Sequence, residues 1–487
     1  MCQTYFNLHR HRLSRLPSTL TYIAATSLLL LCSMLLGCAG GTSNSSVQPI
    51  TPIPPSTPGS AFFGMHVNRA VAGQFPYPTI PFGSYRTLDS SVLWSDIETS
   101  QGVYDFTRLN TRLADAQTAG VDVVYTIYNT PPFYSSAPND TSCGTYSVNN
   151  LPGGCDPPAG LNPDGSGSDQ PLINFLTALV QDAGTQIKYY EIWNEVNITT
   201  EWTGTNAQLV RMAQDARNTI LAANPNAQFL SPSFADLAYP GAGAAAKMAA
   251  YLATSANSTT GSAQADIINF HGYVYTSATA TPLAENEVLI VQNIQAALAG
   301  DATDLAKPLW DTEFSYGPNG LGDPDLNAAF IASHLLIQAG QGIARTYYYD
   351  WDISQQEALW SDTLSPTGPC LGSGVANSIG FLCETGIAYQ QIENWLTGNT
   401  VTTPCSGPMP PNVGVWTCGI TKADGSKALA VWDSSQTCSG GICTTSSYSY
   451  SGPYTSYLYL TPTNGVTSAA LSGGTVPIGV KPILLSQ

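Results

Sequence analysis

Two glutamates stand where apolar, strand-like runs of the sequence end. Glu195 follows residues 187–193, and Glu313 follows residues 308–312. If both runs are parallel strands of one barrel, their ends meet at the same rim and the two carboxyl groups lie together. One carboxyl group of such a pair can protonate a departing oxygen while the other attacks or activates water, which is what cleavage of a glycosidic bond requires.

The order of the predicted elements supports a barrel. From residue 61 to about residue 352, short apolar runs alternate with longer helical patterns, which indicates repeated strand–helix units. Strands are predicted at residues 62–67, 85–88, 121–128, 187–193, 228–231, 267–271, 308–313 and 344–349. Helices are predicted at residues 107–119, 170–184, 206–223, 325–340 and 386–398. We therefore predict an α/β fold, a (β/α)8 TIM barrel; a doubly wound sheet is the alternative, but the sequence lacks the Gly-rich phosphate turn that would support it.

The pattern changes after residue 398. Short alternating runs at residues 413–420, 428–432, 454–460 and 479–485 are separated by Gly, Ser, Pro and Asn. They predict a small C-terminal antiparallel β-sandwich packed on the barrel. The predicted domains are a catalytic barrel over residues 61–398 and a sandwich over residues 399–487. The sandwich serves either structural support, which we favour from the sequence, or sugar binding.

Several segments resemble the clan A glycoside hydrolases, the 4/7 superfamily. The sequence WNE at residues 193–195 looks like their fourth-strand signature, and LWDTEF at residues 309–314 looks like their nucleophile strand. Residues 86–106 and the turn at residues 130–132 are similar to family 39 and its relatives. The resemblance implies a retaining hydrolase of β-linked oligo- or polysaccharides that works by double displacement. In it Glu195 would be the general acid/base and Glu313 the nucleophile.

The same resemblance suggests supporting residues. Asn194 would hydrogen-bond the 2-hydroxyl of the bound sugar, and Arg86 on the second strand would hold Glu313 ionised. In the sixth-strand segment, His271 or Tyr273 would touch the nucleophile, although a structural core histidine is the competing interpretation of His271. The mechanism requires no metal and no organic cofactor.

Aromatic side chains on the loops after the strands are candidates to stack on sugar rings. Trp351, directly after the eighth strand, is the first choice. The other candidates on presumed loops are Phe133, Tyr134, Trp202, Tyr275 and Tyr316.

Two other functions fit the same residues. A catalytically silent sugar-binding lipoprotein would keep the barrel as a scaffold, but a silent relative usually lacks one of the two glutamates. A transglycosylase would use the same carboxylates and differ only in which acceptor reaches the site. The sequence does not separate transglycosylation from hydrolysis.

Charge is scarce and mostly negative. The 487 residues include 16 Lys and Arg against 33 Asp and Glu, so that 10% are charged and the formal net charge is −17. Binding of nucleic-acid phosphates needs a basic footprint, which this balance lacks. We therefore expect no nucleic-acid partner, and the same balance weighs against uronic-acid substrates. Nothing in the sequence indicates the oligomeric state.

The N-terminus resembles a bacterial lipoprotein signal. Arg10, Arg12 and Arg15 precede the apolar residues 22–36, and LLGC at residues 35–38 is similar to a lipobox. This resemblance predicts a signal peptide over residues 1–37, lipidation of Cys38 and a Ser/Thr/Pro-rich tether over residues 38–60. The body would be exported and lipid-anchored at the cell envelope, at the outer membrane by the same resemblance, or secreted. An uncleaved helical anchor is the alternative.

Eight cysteines follow the tether, as four close neighbours along the sequence. They are Cys143, Cys155, Cys370, Cys383, Cys405, Cys418, Cys438 and Cys443. An even number in an exported chain suggests disulfides, and the spacing favours pairing of sequence neighbours. A metal site is the weaker interpretation, because the sequence has no CxxC and only three histidines follow the signal peptide.

Overall fold

Eight parallel strands form a closed barrel in the computed structural model of the chain. The structure describes residues 55–70, 75–144, 151–240, 243–352, 355–365, 370–376, 379–462 and 465–487. The barrel strands are β1 (Phe63–His66), β2 (Ser84–Arg86), β3 (Asp122–Ile127), β4 (Tyr189–Ile192), β5 (Gln228–Leu230), β6 (Ile268–His271), β7 (Leu309–Phe314) and β8 (Arg345–Tyr348). Strands pair in chain order, and a parallel bridge between Leu230 and Ile267 joins β5 to β6 and closes the ring. The predicted TIM barrel is confirmed.

Seven longer helices follow the strands from β2 to β8. They are α1 (Thr107–Ala119), α2 (Gln170–Ala183), α3 (Asn206–Ala223), α4 (Ala244–Ala253), α5 (Glu287–Leu298), α6 (Pro324–Gly340) and α7 (Glu384–Leu396). A reciprocal cap starts α3, because Thr205 Oγ1 accepts the Gln208 N–H at 3.2 Å and Gln208 Oε1 accepts the Thr205 N–H at 2.9 Å. The prediction placed five of these helices to within two residues at each end and lacked α4 and α5.

Shorter elements lie in the loops. The short helices are Ser60–Phe62, Trp94–Ile97, Gly261–Gln264, Ala284–Asn286 and Ala302–Leu305. The short strands are Glu98–Ser100, Val103–Tyr104, Ser255–Ala256, Thr259–Thr260, Trp360–Ser361, Leu364–Ser365, Cys370–Leu371, Val375–Ala376, Phe381–Leu382, Cys438–Ser439 and Ile442–Cys443.

The barrel interior has an apolar floor below a polar layer. The floor is a buried cluster of Val124, Leu230, Ile267, Trp310 and Tyr347. Because side chains alternate along a strand, the residues two positions further along point inward one layer higher. That layer contains the buried polar side chains Arg86, Thr126, Glu191, Asn269 and Thr312. The polar groups of the interior therefore lie towards the C-terminal rim of the strands.

Antiparallel strands after α7 form the predicted sandwich. They are β9 (Thr400–Ser406), β10 (Val415–Thr421), β11 (Lys427–Asp433), β12 (Ser446–Ser449), β13 (Ser456–Thr461), β14 (Gly465–Ala470), β15 (Thr475–Ile478) and β16 (Ile483–Ser486). Six of them form one sheet in the order β9-β10-β11-β16-β13-β14, and β12 pairs with β15. One face of the large sheet joins the core of the barrel, and the other packs on the β12–β15 pair.

Buried polar contacts fix the sandwich to the barrel. Trp432 Nε1 donates to Glu285 Oε1 at 2.7 Å. The Lys481 ammonium bonds Asp325, and it also bonds Glu384 at 3.1 Å. The bond of Trp432 reaches the short helix before α5, and the bonds of Lys481 reach the beginnings of α6 and α7, on the side of the barrel where β7 and β8 end.

The last residues of the predicted tether belong to the folded body. Ser56 forms an antiparallel bridge with Val401, and its hydroxyl donates to Ala339 O at 2.6 Å. The Gly398 N–H donates to Pro58 O at 2.9 Å. The predicted boundary at residue 60 was therefore too late, because these polar groups find partners on β9 and at the ends of α6 and α7. The predicted signal peptide over residues 1–37 and Cys38 lie outside the described residues.

Four disulfides pair sequence neighbours, as predicted. They are Cys143–Cys155, Cys370–Cys383, Cys405–Cys418 and Cys438–Cys443. The first lies in the loop between β3 and α2, the second in the loop between β8 and α7, and the third joins β9 to β10. Such cross-links stabilise a fold mainly by restricting the unfolded chain. Within the described residues, no helix has the length and apolar character needed to cross a membrane.

Candidate active site

The turn that carries Glu195 has an uncommon backbone. Trp193 and Glu195 adopt positive φ angles of 66° and 40°, which cost non-glycine residues free energy and concentrate at functional sites. Two bonds hold the turn: Trp193 Nε1 donates to Glu201 O at 2.7 Å, and the Glu195 N–H donates to Ser233 Oγ at 2.9 Å. Glu195 is thereby fixed where β4 ends and is tied to the end of β5.

Glu195 is placed to hold a proton at neutral pH. Its side chain is 14% exposed, and its Oε1 lies 2.7 Å from His271 Nδ1. Burial, and next the negative charge of Asp236, raise the pKa of Glu195 to about 8 against the opposing charge of Arg86. A carboxyl group with this pKa is protonated at neutral pH, as a general acid must be.

Glu313 lies close to Glu195 at the end of β7 and is held by two donors. Arg86 Nη1 donates to its Oε2 at 2.7 Å, and the Tyr273 hydroxyl donates to its Oε1 at 2.8 Å. The bond from Arg86 is charge-assisted. A carboxylate oxygen of each glutamate and a ring nitrogen of His271 all lie within 4.8 Å of one another. This upper limit places the nearest oxygens of the two glutamates closer than the about 6.5–9.5 Å that separates the carboxyl groups of inverting glycosidases.

A buried ion pair beneath the two glutamates positions Arg86. Arg86 Nε and Nη2 donate to the two oxygens of Glu191 at 2.7 and 2.8 Å, and both side chains are fully buried. Thr126 and Asn269 also donate to Glu191, each at 2.6 Å. Burial raises the pKa of Glu191, but the charge and bonds of Arg86 outweigh it and hold this pKa below its usual range. Burial alone would lower the pKa of Arg86, which its carboxylate partners raise.

The sequence analysis missed Glu191 as a site residue. The available signal was a carboxylate in the middle of the strand YYEI, where an inward-facing charge needs a partner inside the barrel. The partner, Arg86, was predicted only in relation to Glu313. The structure shows that Arg86 joins the two carboxylates.

A second missed residue, Asp311, holds the backbone around Glu313. Its Oδ1 accepts the N–H of Gly272 at 2.8 Å and that of Glu313 at 3.2 Å, and its Oδ2 accepts from Gln338. Burial, and next the nearby Glu287, raise the pKa of Asp311 well above its usual value. A Cβ on Gly272 would lie 2.2 Å from Asp311 Oδ2, so only glycine fits there. Asp311 therefore sets the spacing between the ends of β6 and β7.

His271 and Tyr273, either of which was expected to touch Glu313, contact different glutamates. Tyr273 touches Glu313, as expected, whereas the 2.7 Å contact of His271 is with Glu195 and its nearest approach to Glu313 is 3.9 Å. His271 is also fully buried, as the interpretation of a structural core histidine predicts. Burial lowers the pKa of His271 to about 4, which leaves the ring neutral beside Glu195.

Both polar atoms of the Asn194 side-chain amide form hydrogen bonds. Its Oδ1 accepts from Arg86 Nη2 at 2.9 Å, and its Nδ2 donates to Glu201 Oε2 at 3.3 Å. The side chain therefore has a fixed orientation next to Glu195. Its contact with a sugar hydroxyl stays a prediction.

Most of the predicted aromatic platforms are not open to a ligand. Trp351 is fully buried, its ring stacks on Trp360, and its Nε1 donates to Pro76 O at 3.0 Å. Trp202 is also buried, with its ring against Trp193. Neither ring presents a face to a sugar, so these two expectations were wrong.

The remaining predicted aromatics differ in exposure. Phe133, after β3, is 36% exposed and packs edge-on against Tyr134, which is partly buried. Tyr316 is buried, and the Tyr275 hydroxyl donates to its carbonyl at 3.0 Å. Phe133 is therefore the most exposed of the predicted platforms.

The cluster of Glu195, His271 and Glu313 has the ligand types of a metal site but a poor environment for a cation. The Arg86 guanidinium lies 2.7 Å from Glu313 Oε2, and the Tyr273 hydroxyl bonds the other oxygen. A metal ion on Glu313 would have to compete with this positive charge. The donor set fits proton transfer and nucleophilic attack better than metal binding.

Comparison with known proteins identifies the fold. No protein-family model matches the chain, and no curated protein sequence matches it. Solved structures do match. A family 39 β-xylosidase from Caulobacter crescentus has a TM-score of 0.55 at 16% identity, over 89% of this chain and 98% of that one. The chain has the fold of a glycoside hydrolase.

Two other families of glycoside hydrolases show the same similarity. The catalytic domain of family 30 xylanase C from Talaromyces cellulolyticus has a TM-score of 0.51 at 14% identity, over 89% of this chain and 98% of that one. The family 51 arabinofuranosidase from Xanthomonas axonopodis pv. citri has a TM-score of 0.52 at 12% identity, with the same coverage. Each of these matches covers 89% of this chain, and the predicted resemblance to clan A glycoside hydrolases is confirmed at the level of the fold.

Proposed function

We propose that the chain is a retaining glycoside hydrolase that cleaves β-linked oligo- or polysaccharides. The observation that carries this proposal is the pair Glu195 and Glu313, which lies at the ends of the fourth and seventh strands with carboxylate oxygens within 4.8 Å. The unequal surroundings of the two groups support it, since one is kept protonated while the other is bonded by Arg86 and Tyr273. The fold shared with enzymes named as xylosidase, xylanase and arabinofuranosidase is consistent with this activity.

In the first step, Glu195 gives its proton to the glycosidic oxygen while Glu313 attacks the anomeric carbon. The leaving alcohol departs, and a glycosyl ester on Glu313 results. Glu313 loses its negative charge when the ester forms, and its hydrogen bonds from Arg86 and Tyr273 weaken. In the second step, Glu195, now ionised, takes a proton from water, which attacks the same carbon and regenerates Glu313.

The substrate we propose is an uncharged glycan. Arg86 is the one cation that bonds Glu313 among the described residues, and its guanidinium is engaged by Glu191, Asn194 and Glu313. It therefore has little capacity left for a sugar carboxylate. A uronic acid would also meet the negative charge of Asp236 near Glu195.

The test is a screen of the purified chain on β-linked aryl glycosides and on xylans, glucans and mannans. Glu313→Gln should abolish turnover while keeping the melting temperature, because the amide fits the same space but cannot attack. Glu393→Gln, in α7 and away from both strand ends, is the matched control and should keep full activity. Normal activity in Glu313→Gln would contradict the assignment, and inactivity of the native chain on every substrate would favour a silent sugar-binding protein.

We also propose that the chain is exported and lipid-anchored through Cys38. The four disulfides support an oxidising compartment. Incorporation of a labelled fatty acid by the native chain and its loss in Cys38→Ser would test the anchor; equal labelling of both would contradict it.

A further inference from the structure

The sandwich carries a cluster of partly buried tyrosines in an uncharged region. Residues 434–480 contain no Asp, Glu, Lys or Arg, although one residue in ten of the chain is charged. Five tyrosines of this region pack half-buried around the apolar contact between the two sandwich layers: Tyr448, Tyr450, Tyr454, Tyr457 and Tyr459. We call this set the tyrosine face.

Two rings of the tyrosine face lie next to the edge strand of the large sheet. Tyr457 and Tyr459 point to the same side of β13, with ring centroids 5.6 Å apart. Their partners on the edge strand β14 are the small residues Ala469 and Thr467. The two partly buried rings therefore lie beside short side chains at the edge of the sheet.

The hydroxyl groups of the tyrosine face are also available. None of the five makes a side-chain hydrogen bond within the described residues, whereas barrel tyrosines such as Tyr128 and Tyr348 donate to Glu201 and Glu357. A tyrosine with a packed ring and an unbonded hydroxyl can stack on one part of a ligand and hydrogen-bond another.

We propose that the tyrosine face is a second carbohydrate-binding site, which holds a neutral polysaccharide chain outside the active site. Aromatic rings stack on the C–H faces of sugars, and hydroxyl groups match their polar edges. The lack of charge offers no attraction to an anionic polymer or a nucleic acid. The site binds without turnover and so does not depend on the proposed hydrolysis.

The position of the face agrees with a role beside the active site. Tyr459 pairs with Ile483, two residues from Lys481, whose ammonium bonds Asp325 and Glu384 where α6 and α7 begin. Those helices follow the ends of β7 and β8. The line from Tyr457 to Tyr459 therefore leads towards the rim that carries Glu195 and Glu313.

The experiment is native gel electrophoresis of the full chain in gels that contain soluble xylan, mixed-linkage glucan or mannan. We expect at least one polysaccharide to retard the native chain. Tyr457→Ala/Tyr459→Ala should weaken this retardation about tenfold or more, the loss of about 1.4 kcal/mol from two aromatic contacts. Tyr457→Phe/Tyr459→Phe, which keeps the rings, should retain most of it. Ala469→Arg, which places a large charged side chain beside the rings without removing them, is the second disrupting variant.

Turnover of a small aryl glycoside and the melting temperature are measured for every variant. Turnover should be unchanged, because a small substrate does not reach the sandwich. The melting temperature should fall in the Ala variant, which loses two partly buried rings, and it shows at which temperature every variant is folded. Retardation without any turnover would support the second binding site and contradict the proposed hydrolysis. The second site is overturned if no polysaccharide retards the native chain, or if the folded Ala and Arg variants are retarded like the native chain. It is also overturned if the native chain is a dimer, the variants are monomers, and this difference alone accounts for the change in mobility.

Discussion

Replacing Arg86 by Met should leave the buried negative charge of Glu191 without a cationic partner in the barrel interior. Arg86 gives Glu191 two hydrogen bonds, at 2.7 and 2.8 Å, and both side chains are fully buried. Methionine has a similar length and no charge. Thr126 and Asn269 would still donate to Glu191, each at 2.6 Å, but neither carries the charge that compensates the carboxylate.

The size of the effect follows from the burial of the pair. Removing one partner of a buried ion pair costs about 3–5 kcal/mol of unfolding free energy, because the other charge stays in a medium that solvates it poorly. We expect the upper part of this range near neutral pH, since Glu191 has no solvent contact.

The pKa of Glu191 determines how this loss depends on pH. In the native chain, Arg86 lowers the folded-state pKa despite burial, so the pair contributes stability above the unfolded-state pKa, and this contribution is lost as the pH falls through the folded-state pKa. In the variant only burial and neutral donors remain, so the folded-state pKa should exceed the unfolded value of about 4.3. The destabilisation should therefore be greatest near pH 8 and shrink as Glu191 is protonated towards about pH 5.

The assay is urea unfolding of the full chain, with its disulfides intact, at about pH 7.5 and about pH 5. Arg86→Met/Glu191→Gln is the matched control, because it removes both charges, and it should recover most of the stability at the higher pH. A loss below about 1 kcal/mol, equal losses at both pH values, or no recovery in the double variant would refute this reasoning.

Three further predictions concern the rim. The kcat/KM of the native chain should decline near pH 8, where Glu195 loses its proton, and Asp236→Asn should move this decline to lower pH; an unmoved pH profile would count against the role of Asp236. Tyr273→Phe should lower kcat about tenfold or more without changing the melting temperature, because Glu313 loses one donor; unaltered steady-state kinetics would contradict this. Gly272→Ala should lower kcat more than it changes KM, since its Cβ would lie 2.2 Å from a buried carboxylate oxygen, and a folded variant with native kcat would disprove that constraint.

The barrel and its two rim glutamates were predictable because their signals are local. Strands such as residues 187–193 are apolar runs with clear ends, and Glu195 and Glu313 directly follow such runs. The barrel topology then brings their ends together without further information. Arg86 was predictable as a partner of Glu313 only through the family resemblance.

The remaining contacts depend on register and loop packing, which the sequence does not display. His271 stands beside Glu313 in the sheet because the pairing of β6 with β7 shifts after Phe270. Its ring nevertheless bonds Glu195. Trp351 is buried because the loop after β8 returns and stacks Trp360 on its ring. Both details depend on contacts between segments that are distant in sequence or on an irregular strand.

The most direct test of the proposed mechanism is to trap the sugar on its nucleophile. The full chain would be incubated with an activated 2-deoxy-2-fluoro-β-glycoside of the sugar that gives the best turnover, then digested and analysed by mass spectrometry. We expect one glycosyl adduct, on Glu313, and none in Glu313→Gln. An adduct on a different carboxylate, or a first product of inverted anomeric configuration, would contradict double displacement at Glu313.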